Sequence, residues 1–368
     1  VSGAPSIVVA AGGTGGHVVP ALAFAEALKE AGASVRWVGA RRGVETRLVP
    51  QAGWPLLALD LRPWRGRWYR PIVFVPLLLA ALVPLGRFFR RVRPGAVVAF
   101  GGYASAAAAL AALLFRRPLV LHEQNLVPGW TSRLFAPWAR LVFVADRDVL
   151  AGHGRVRAVG VPVRRAFLDL PPPEVRFQDR RGPLRLLVLG GSQGARSLNR
   201  LVPEALGLLP DPRNLTVVHQ TGPAGLGETR ARYARAGIDA ELAPFFDDMP
   251  ERYAAADLAL CRAGAATLAE LAAVGLGAVL VPFPHAVDDH QRANALRHAE
   301  AGAAQVVDER HLDAARLAAV LAPLLAGRET LLAMAVRART RARPEASAIM
   351  AGEVLGLCGV RVAGETNP

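Results

Sequence analysis

The chain is poor in lysine, cysteine and methionine. Lys29 is the one lysine among 44 basic residues, and 368 positions hold only Cys261, Cys358 and three methionines. Two cysteines give no disulfide framework and point to a reducing cytosol. Neither they nor the scattered histidines have zinc-ligand spacing, so no metal site is expected. The opening VSGAPSIVVAAGG has no basic stretch ahead of its apolar run, which argues against a secretory leader. No apolar run reaches the roughly 20 residues of a spanning helix. No Gly-Lys-Ser/Thr occurs, which excludes a P-loop.

What is present is apolar mass and positive charge. Apolar residues make up 52% of the chain, enough for globular cores, and the length suits two domains. The net charge is +14, and it is unevenly spread. Val1 to Gly160 carry 20 basic and 7 acidic residues, whereas Val161 onward carry 24 and 23. One half is therefore expected to face an anionic surface.

SIVVAAGG (from Ser6) and LRLLVLGG (from Leu184) are apolar runs closed by paired glycines, each followed by a helix-compatible stretch. Strand, glycine turn, helix is the opening unit of a doubly wound parallel sheet. SVRWVGA, AVVAFGG, PLVLHEQ and LVFVA continue the alternation in the first half, and LTVVHQTG, DLALCRAG and GAVLVPFP in the second. LDLPPPEVRFQDRRGP, 168–183, reads as a linker. The expectation is two similar α/β domains in tandem with a cleft between them.

One segment departs from this pattern. Between Arg62 and Pro94, an apolar centre (Pro71 to Gly86) is flanked by four arginines on each side and interrupted by Pro76 and Pro84. Together with Trp64 and Trp68 it suits shallow docking on an anionic bilayer surface over Trp64–Arg93. The competing reading is a core helix with solvated arginines at its ends. Replacing Leu78 and Leu79 by Glu is the natural test of docking.

Glycines after a strand let a backbone approach a phosphate, and the next helix offers N–H groups and dipole. The dinucleotide fingerprint fails on spacing: from Gly13 the count gives Gly15 and then Val18, and GGSQGA has no such register. After WVGARRG no carboxylate is placed for an NAD ribose, although Arg41 and Arg42 could serve a 2′-phosphate and leave an NADP oxidoreductase as an alternative, beside a UDP-sugar epimerase on a related two-domain scaffold. A non-catalytic lipid- or nucleic-acid-binding protein would not need duplicated phosphate loops, and no nucleic-acid partner is expected. Asp146-Arg147-Asp148 has the spacing of a metal-binding D-x-D but reads as a helix start.

GGTGGHVVPALA, FGGYASAAAA, LHEQNLVPG, VGVPVRR, GGSQGARSLN, PFFDDM, CRAGAATLAE and PFPHAVDDHQRANA follow one another over roughly Ser6 to Gly302. In order and spacing this series resembles the MurG family of bacterial N-acetylglucosaminyltransferases (glycosyltransferase family 28). The resemblance implies a GT-B fold of two Rossmann-like domains facing across a cleft. It implies an acceptor- and membrane-binding domain over 1–163, a UDP-GlcNAc domain over 164–343, and a final helix within 344–368 returning to the first domain. The implied reaction is inverting, metal-independent transfer of GlcNAc from UDP-GlcNAc to the 4-hydroxyl of the muramyl sugar of lipid I, giving lipid II, without a cofactor. The implied setting is peripheral, on the cytoplasmic face of the inner membrane, with cell-wall synthesis and division proteins as further partners.

Such a step needs a base, stabilisation of the departing diphosphate, and orientation of both sugars. His17, at the exit of the first glycine loop, is the expected base or acceptor-positioning group, with Glu123 a competing base. Gly13, Gly102 and Tyr103 are expected on the acceptor side, and His122 as support for its loop. Thr14, Gly15 and Gly16 are expected on the donor side, resembling a loop that touches substrate diphosphate or sugar, and Asn125 matches a donor-side asparagine near the GlcNAc. Ser192, within the Gly191–Gly194 loop, and the helix start Ala265, Ala266 and Thr267 are expected to serve the nucleotide. Glu270, one turn further on, can accept both ribose hydroxyls; its bland reading is a solvated surface. By the same resemblance, Phe246 reads uracil through its backbone, Arg164 meets developing diphosphate charge and Gln291 orients the donor sugar. Val161, Ala263 and His290 depart from the family's common asparagine, serine and glutamine, leaving details of the sugar contacts open.

Overall fold

The computed structural model describes residues 4–61, 70–191 and 194–360. They form two compact units, one of 1–164 with 343–368 and one of 165–342.

The first unit alternates β1 (Ser6–Ala10), α1 (Gly15–Glu30), β2 (Ser34–Ala40), α2 (Glu45–Gln51), β3 (Leu56–Leu59), α3 (Arg70–Val92), β4 (Ala96–Ala99), α4 (Tyr103–Leu114), β5 (Leu119–Glu123), α5 (Trp130–Phe135), β6 (Leu141–Val144) and β7 (Val156–Ala158). All strand pairs are parallel, in the order β3-β2-β1-β4-β5-β6-β7. The central strands β1 and β4 are covered on both faces, so they are almost wholly apolar. Val8 and Ala10 point to one core with Leu85, Phe89 and the alanines of α4. Ile7 and Val9 point to the other, with Phe24 and Leu28.

The second unit runs α6 (Arg165–Leu168), α7 (Pro173–Gln178), β8 (Leu184–Leu189), α8 (Arg196–Gly207), β9 (Leu215–Gln220), α9 (Leu226–Arg235), β10 (Ala240–Ala243), α10 (Met249–Ala255), β11 (Leu258–Cys261), α11 (Ala265–Val274), β12 (Ala278–Leu280), α12 (His290–Glu300), β13 (Ala304–Val306), α13 (Ala314–Leu324) and α14 (Arg328–Arg339). Its parallel sheet has the order β10-β9-β8-β11-β12-β13. The chain then re-enters the first unit, where α15 (Ala346–Leu357) packs on α1. Met350, Val354 and Leu355 are fully buried there, each contributing about 1.5–3 kcal/mol.

In both sheets the strand order reverses beside the first strand, between β1 and β4 and between β8 and β11. A crevice opens at such a point outside the carboxyl ends of the strands. Four of the glycine turns noted in the sequence stand there: those after β1, β4, β8 and β11.

Three expectations need correction. The segment read as a linker is folded into the second unit: α7 lies within it, Phe177 is buried, and Arg176 and Arg180 bond the last carbonyls of α10 and α11. Guanidinium groups at helix C-termini complement both the dipole and the unpaired carbonyls. Second, α3 continues through Pro76 and Pro84, whose exposed rings lie where the interrupted backbone bonds are open to water. Third, Asp146-Arg147-Asp148 forms a turn rather than a helix start. Leu150, at φ 55°, ends that turn before a helix can propagate.

Candidate active site

The first glycine turn is shaped by what it must fit around. Gly13 holds φ at 93°, a conformation costly for any residue with a Cβ. Thr14 is the extended residue ahead of α1. Its hydroxyl lies 3.4 Å from His17 Nδ1 rather than capping the helix. The N–H groups of Gly15 and Gly16 stand at the helix start, where no intrahelical acceptor exists. A Cβ at Gly15 would meet nothing within 4 Å, so packing inside the protein does not demand glycine there.

The second turn presses on the first. A Cβ at Gly101 would lie 2.9 Å from His17 Cδ2, and one at Gly102 would strike Gly12 O. The His17 imidazole thus rests on a bare stretch of backbone at the switch point. Ser105 Oγ lies 2.6 Å from Ala10 O and 2.7 Å from Gly101 O, joining β1 to this turn. The Tyr103 ring borders Gly13. Burial, and secondarily the Glu45 carboxylate, raise its phenol pKa.

At the end of β5, His122 is fully buried. Its Nδ1 accepts from Gln124 Nε2 at 3.0 Å, which leaves Nε2–H to donate to Gly160 O at 2.9 Å. Burial lowers its pKa to about 4, so it is a neutral brace. Both Glu123 oxygens are engaged: Oε1 accepts from Asn125 N–H at 3.0 Å and Asn125 Nδ2 at 3.2 Å, and Oε2 from Gly129 N–H at 2.8 Å. That arrangement fits a loop brace better than a proton acceptor. Arg164 closes the first unit and bears electrostatically on the exposed Glu26 of α1.

In the second unit, Ser192 lies outside the described residues. Around it, Gly194 N–H donates to Gly191 O at 3.0 Å, and a Cβ on Gly194 would strike Thr221 O. After β11, Gly264 precedes α11, whose first N–H groups belong to Ala265, Ala266 and Thr267. Glu270 is half-buried, and its Oε2 accepts from the hydroxyl of the buried Tyr253 at 3.2 Å, which discards the solvated-surface reading. Phe246 is buried, with the Arg252 guanidinium 4.1 Å from its ring centroid. Gln291 Oε1 accepts from Phe283 N–H at 3.0 Å. Asp288 and Asp289 both take left-handed backbone, at φ 53° and 52°, immediately before His290 and Gln291.

Sequence reasoning missed Gln220. Its Oε1 accepts from Phe246 N–H at 3.3 Å and its Nε2 donates to Gly191 O at 3.4 Å, strapping those two loops together. His219 beside it is buried between Tyr233 OH and Asn199 Oδ1, its pKa lowered to about 3 by burial. The signal was present: LTVVHQTG ends an apolar strand in polar residues just as PLVLHEQ does.

Two parallel α/β units, each with glycine turns at its switch point, match known family models in turn. Residues 7–144 match the glycosyltransferase family 28 N-terminal domain, and 185–349 match the family 28 C-terminal domain. The protein is a family 28 glycosyltransferase. An Acidithiobacillus ferrooxidans protein named UDP-N-acetylglucosamine--N-acetylmuramyl-(pentapeptide) pyrophosphoryl-undecaprenol N-acetylglucosamine transferase is 48% identical over 97% of this chain and 99% of its own. A like-named Alkalilimnicola ehrlichii protein is 48% identical over 94% and 97%. The crystal structure of Acinetobacter baumannii MurG superposes with a TM-score of 0.77 at 34% identity, covering 96% of this chain and 99% of that one. The chain belongs to the MurG family. A putative UDP-N-acetylglucosamine 2-epimerase from Listeria monocytogenes, at TM-score 0.71 but 13% identity, shares the fold alone.

Proposed function

We propose that this protein transfers GlcNAc from UDP-GlcNAc to the 4-hydroxyl of the N-acetylmuramyl-pentapeptide carried on pyrophosphoryl-undecaprenol. The observation that carries this reading is that paired glycine turns stand at the switch points of both sheets, so each unit has its own place for a diphosphate. His17 takes the proton from the acceptor hydroxyl as its oxygen bonds to C1 of GlcNAc. The bond from C1 to the UDP oxygen breaks on the opposite face, which inverts the anomeric centre. Negative charge then grows on the departing diphosphate, where the N–H groups at the start of α11 and those around Gly191–Gly194 stabilise it. Arg164 adds positive charge, Glu270 holds the ribose, the Phe246 backbone reads uracil, and Gln291 and Asn125 orient the sugar. In place of the donor role expected for them, Gly15 and Gly16 join Gly102 and Tyr103 in receiving the acceptor.

The test is transfer of labelled GlcNAc to a lipid I analogue, with thermal shifts in UDP, UDP-GlcNAc and NADPH. Stabilisation by both uridine ligands and none by NADPH is expected. Glu270→Ala should weaken UDP binding by roughly 10- to 100-fold, the loss of charge-assisted bonds to the ribose. Unchanged binding would remove Glu270 from the site.

The same reading places the protein peripherally on the cytoplasmic face of the inner membrane, docked through α3. One face of this helix packs inward through Ala81, Leu85 and Phe89. The other exposes Val75, Leu79 and Val83 at 55–57% and continues at the same four-residue spacing into exposed Arg87 and Arg91. Apolar side chains followed by arginines suit insertion at an anionic lipid surface. Leu78 is half-buried, so the informative pair is Leu79 and Val83 rather than Leu78 and Leu79. The double change to Glu should lower partition onto anionic vesicles by roughly tenfold or more, with UDP binding untouched. The part of the segment at 62–69, including Trp64, lies outside the described residues.

A further inference from the structure

Glu45 is fully buried, yet it lies beside a turn read as part of an anion-binding site. It opens α2, and its side chain folds back between two strand ends. Oε2 accepts from Gly13 N–H and Oε1 from Ala40 N–H, both at 2.9 Å. The space it fills is made by three glycines from three segments. A Cβ on Gly12 would come within 2.5 Å of Oε1, one on Gly39 within 2.8 Å of Cγ, and one on Gly43 would collide with the carboxylate itself. Such a pocket serves one carboxylate and nothing larger.

The consequence reaches the acceptor side. Gly13 N–H, the first donor of the turn, is taken up by the protein's own carboxylate and is not offered to a phosphate. With that bond made, Gly13 is held at φ 93° and the residues leading to His17 follow from a fixed point. After burial, the same carboxylate is the second cause that raises the Tyr103 phenol pKa.

We infer that Glu45 is a positioning residue for the lipid-linked acceptor: by holding Gly13 and Ala40 it sets the turn that presents the α1 start and His17, and confines an incoming diphosphate to the donors beyond Gly13. This rests on the transferase reading above, which assigns the first unit to the acceptor. Glu45→Gln keeps the size but offers one acceptor oxygen for two N–H groups, so one of them is left buried and unmatched. Gly43→Ala reaches the same end with Glu45 intact, because the new methyl drives the carboxylate out.

The experiment compares wild type, Glu45→Gln and Gly43→Ala by steady-state transfer to a lipid I analogue. UDP affinity by calorimetry, melting temperature and hydrogen exchange at the Gly13 amide are read alongside. In both variants kcat/KM for the acceptor should fall by about a hundredfold, the cost of misplacing reacting groups by an ångström or so. UDP affinity should stay unchanged and Gly13 exchange should quicken. A lower melting temperature with unaltered acceptor kcat and KM would reduce Glu45 to a structural role and overturn the inference, as would Gly13 exchange as slow as in wild type. If wild type itself transfers no sugar, the transferase reading falls, and the exchange measurement still decides whether Glu45 sets the turn.

Discussion

Replacing His17 by alanine should lower kcat by about 10²- to 10⁴-fold, the range expected when a positioned proton acceptor is lost, while UDP affinity is unchanged. Gly101 and Gly102 lie against the imidazole without side chains, and Thr14 Oγ1 lies 3.4 Å from its Nδ1. Glu123, the other carboxylate considered for the role, already accepts three bonds from its own loop. The measurement is single-turnover transfer with saturating UDP-GlcNAc, which separates chemistry from product release. A His17→Ala enzyme turning over at the wild-type rate would move the base elsewhere.

The largest stability effect is expected at Asp257, far from any proposed ligand. Its side chain is fully buried at the start of β11. It pairs with Arg180, accepts from Arg185 N–H at 2.9 Å, and meets Arg328 Nη2 at 3.3 Å. Arg180 and Arg328 come from segments flanking the sheet, so one carboxylate ties both to it. Asp257→Ala leaves two partly buried guanidinium groups and the Arg185 N–H without their shared carboxylate, a cost of about 2–4 kcal/mol, or a melting temperature lower by roughly 4–16 °C for a unit of this size. Asp257→Asn, which keeps one acceptor, should lose less. Scanning calorimetry of the full chain reads both. A shift of no more than a degree or two for the alanine variant would mean that the arginines find other partners.

The central strands of both sheets were legible because a parallel strand buried on two faces is a continuous apolar run, and β1, β4, β8 and β11 read that way. The outlying strands were not. β3, β7, β10 and β13 are three or four residues long and partly exposed, so VRA or AELA carries no pattern that separates it from a loop. The supposed linker was misjudged for a different reason. The carbonyls at the ends of α10 and α11 that Arg176 bonds lie 78 to 99 positions further along the chain, and nothing local announces them. Residues named from turn chemistry, such as His17, Gly102 and Glu270, stand at switch points. Glu45 escaped notice because Gly12, Gly39 and Gly43 surround it only once the sheet has formed.

The place of α15 has a consequence for how the protein is made. A ribosome delivers β1 and α1 long before α15, so the face of α1 that buries Met350, Val354 and Leu355 stays uncovered until α15 itself has been made. The intervening segment, by contrast, has all of its own sheet in hand before that moment. Vectorial synthesis should therefore complete the second unit first and leave β1 and α1 waiting, with a greasy helix surface on show to chaperones.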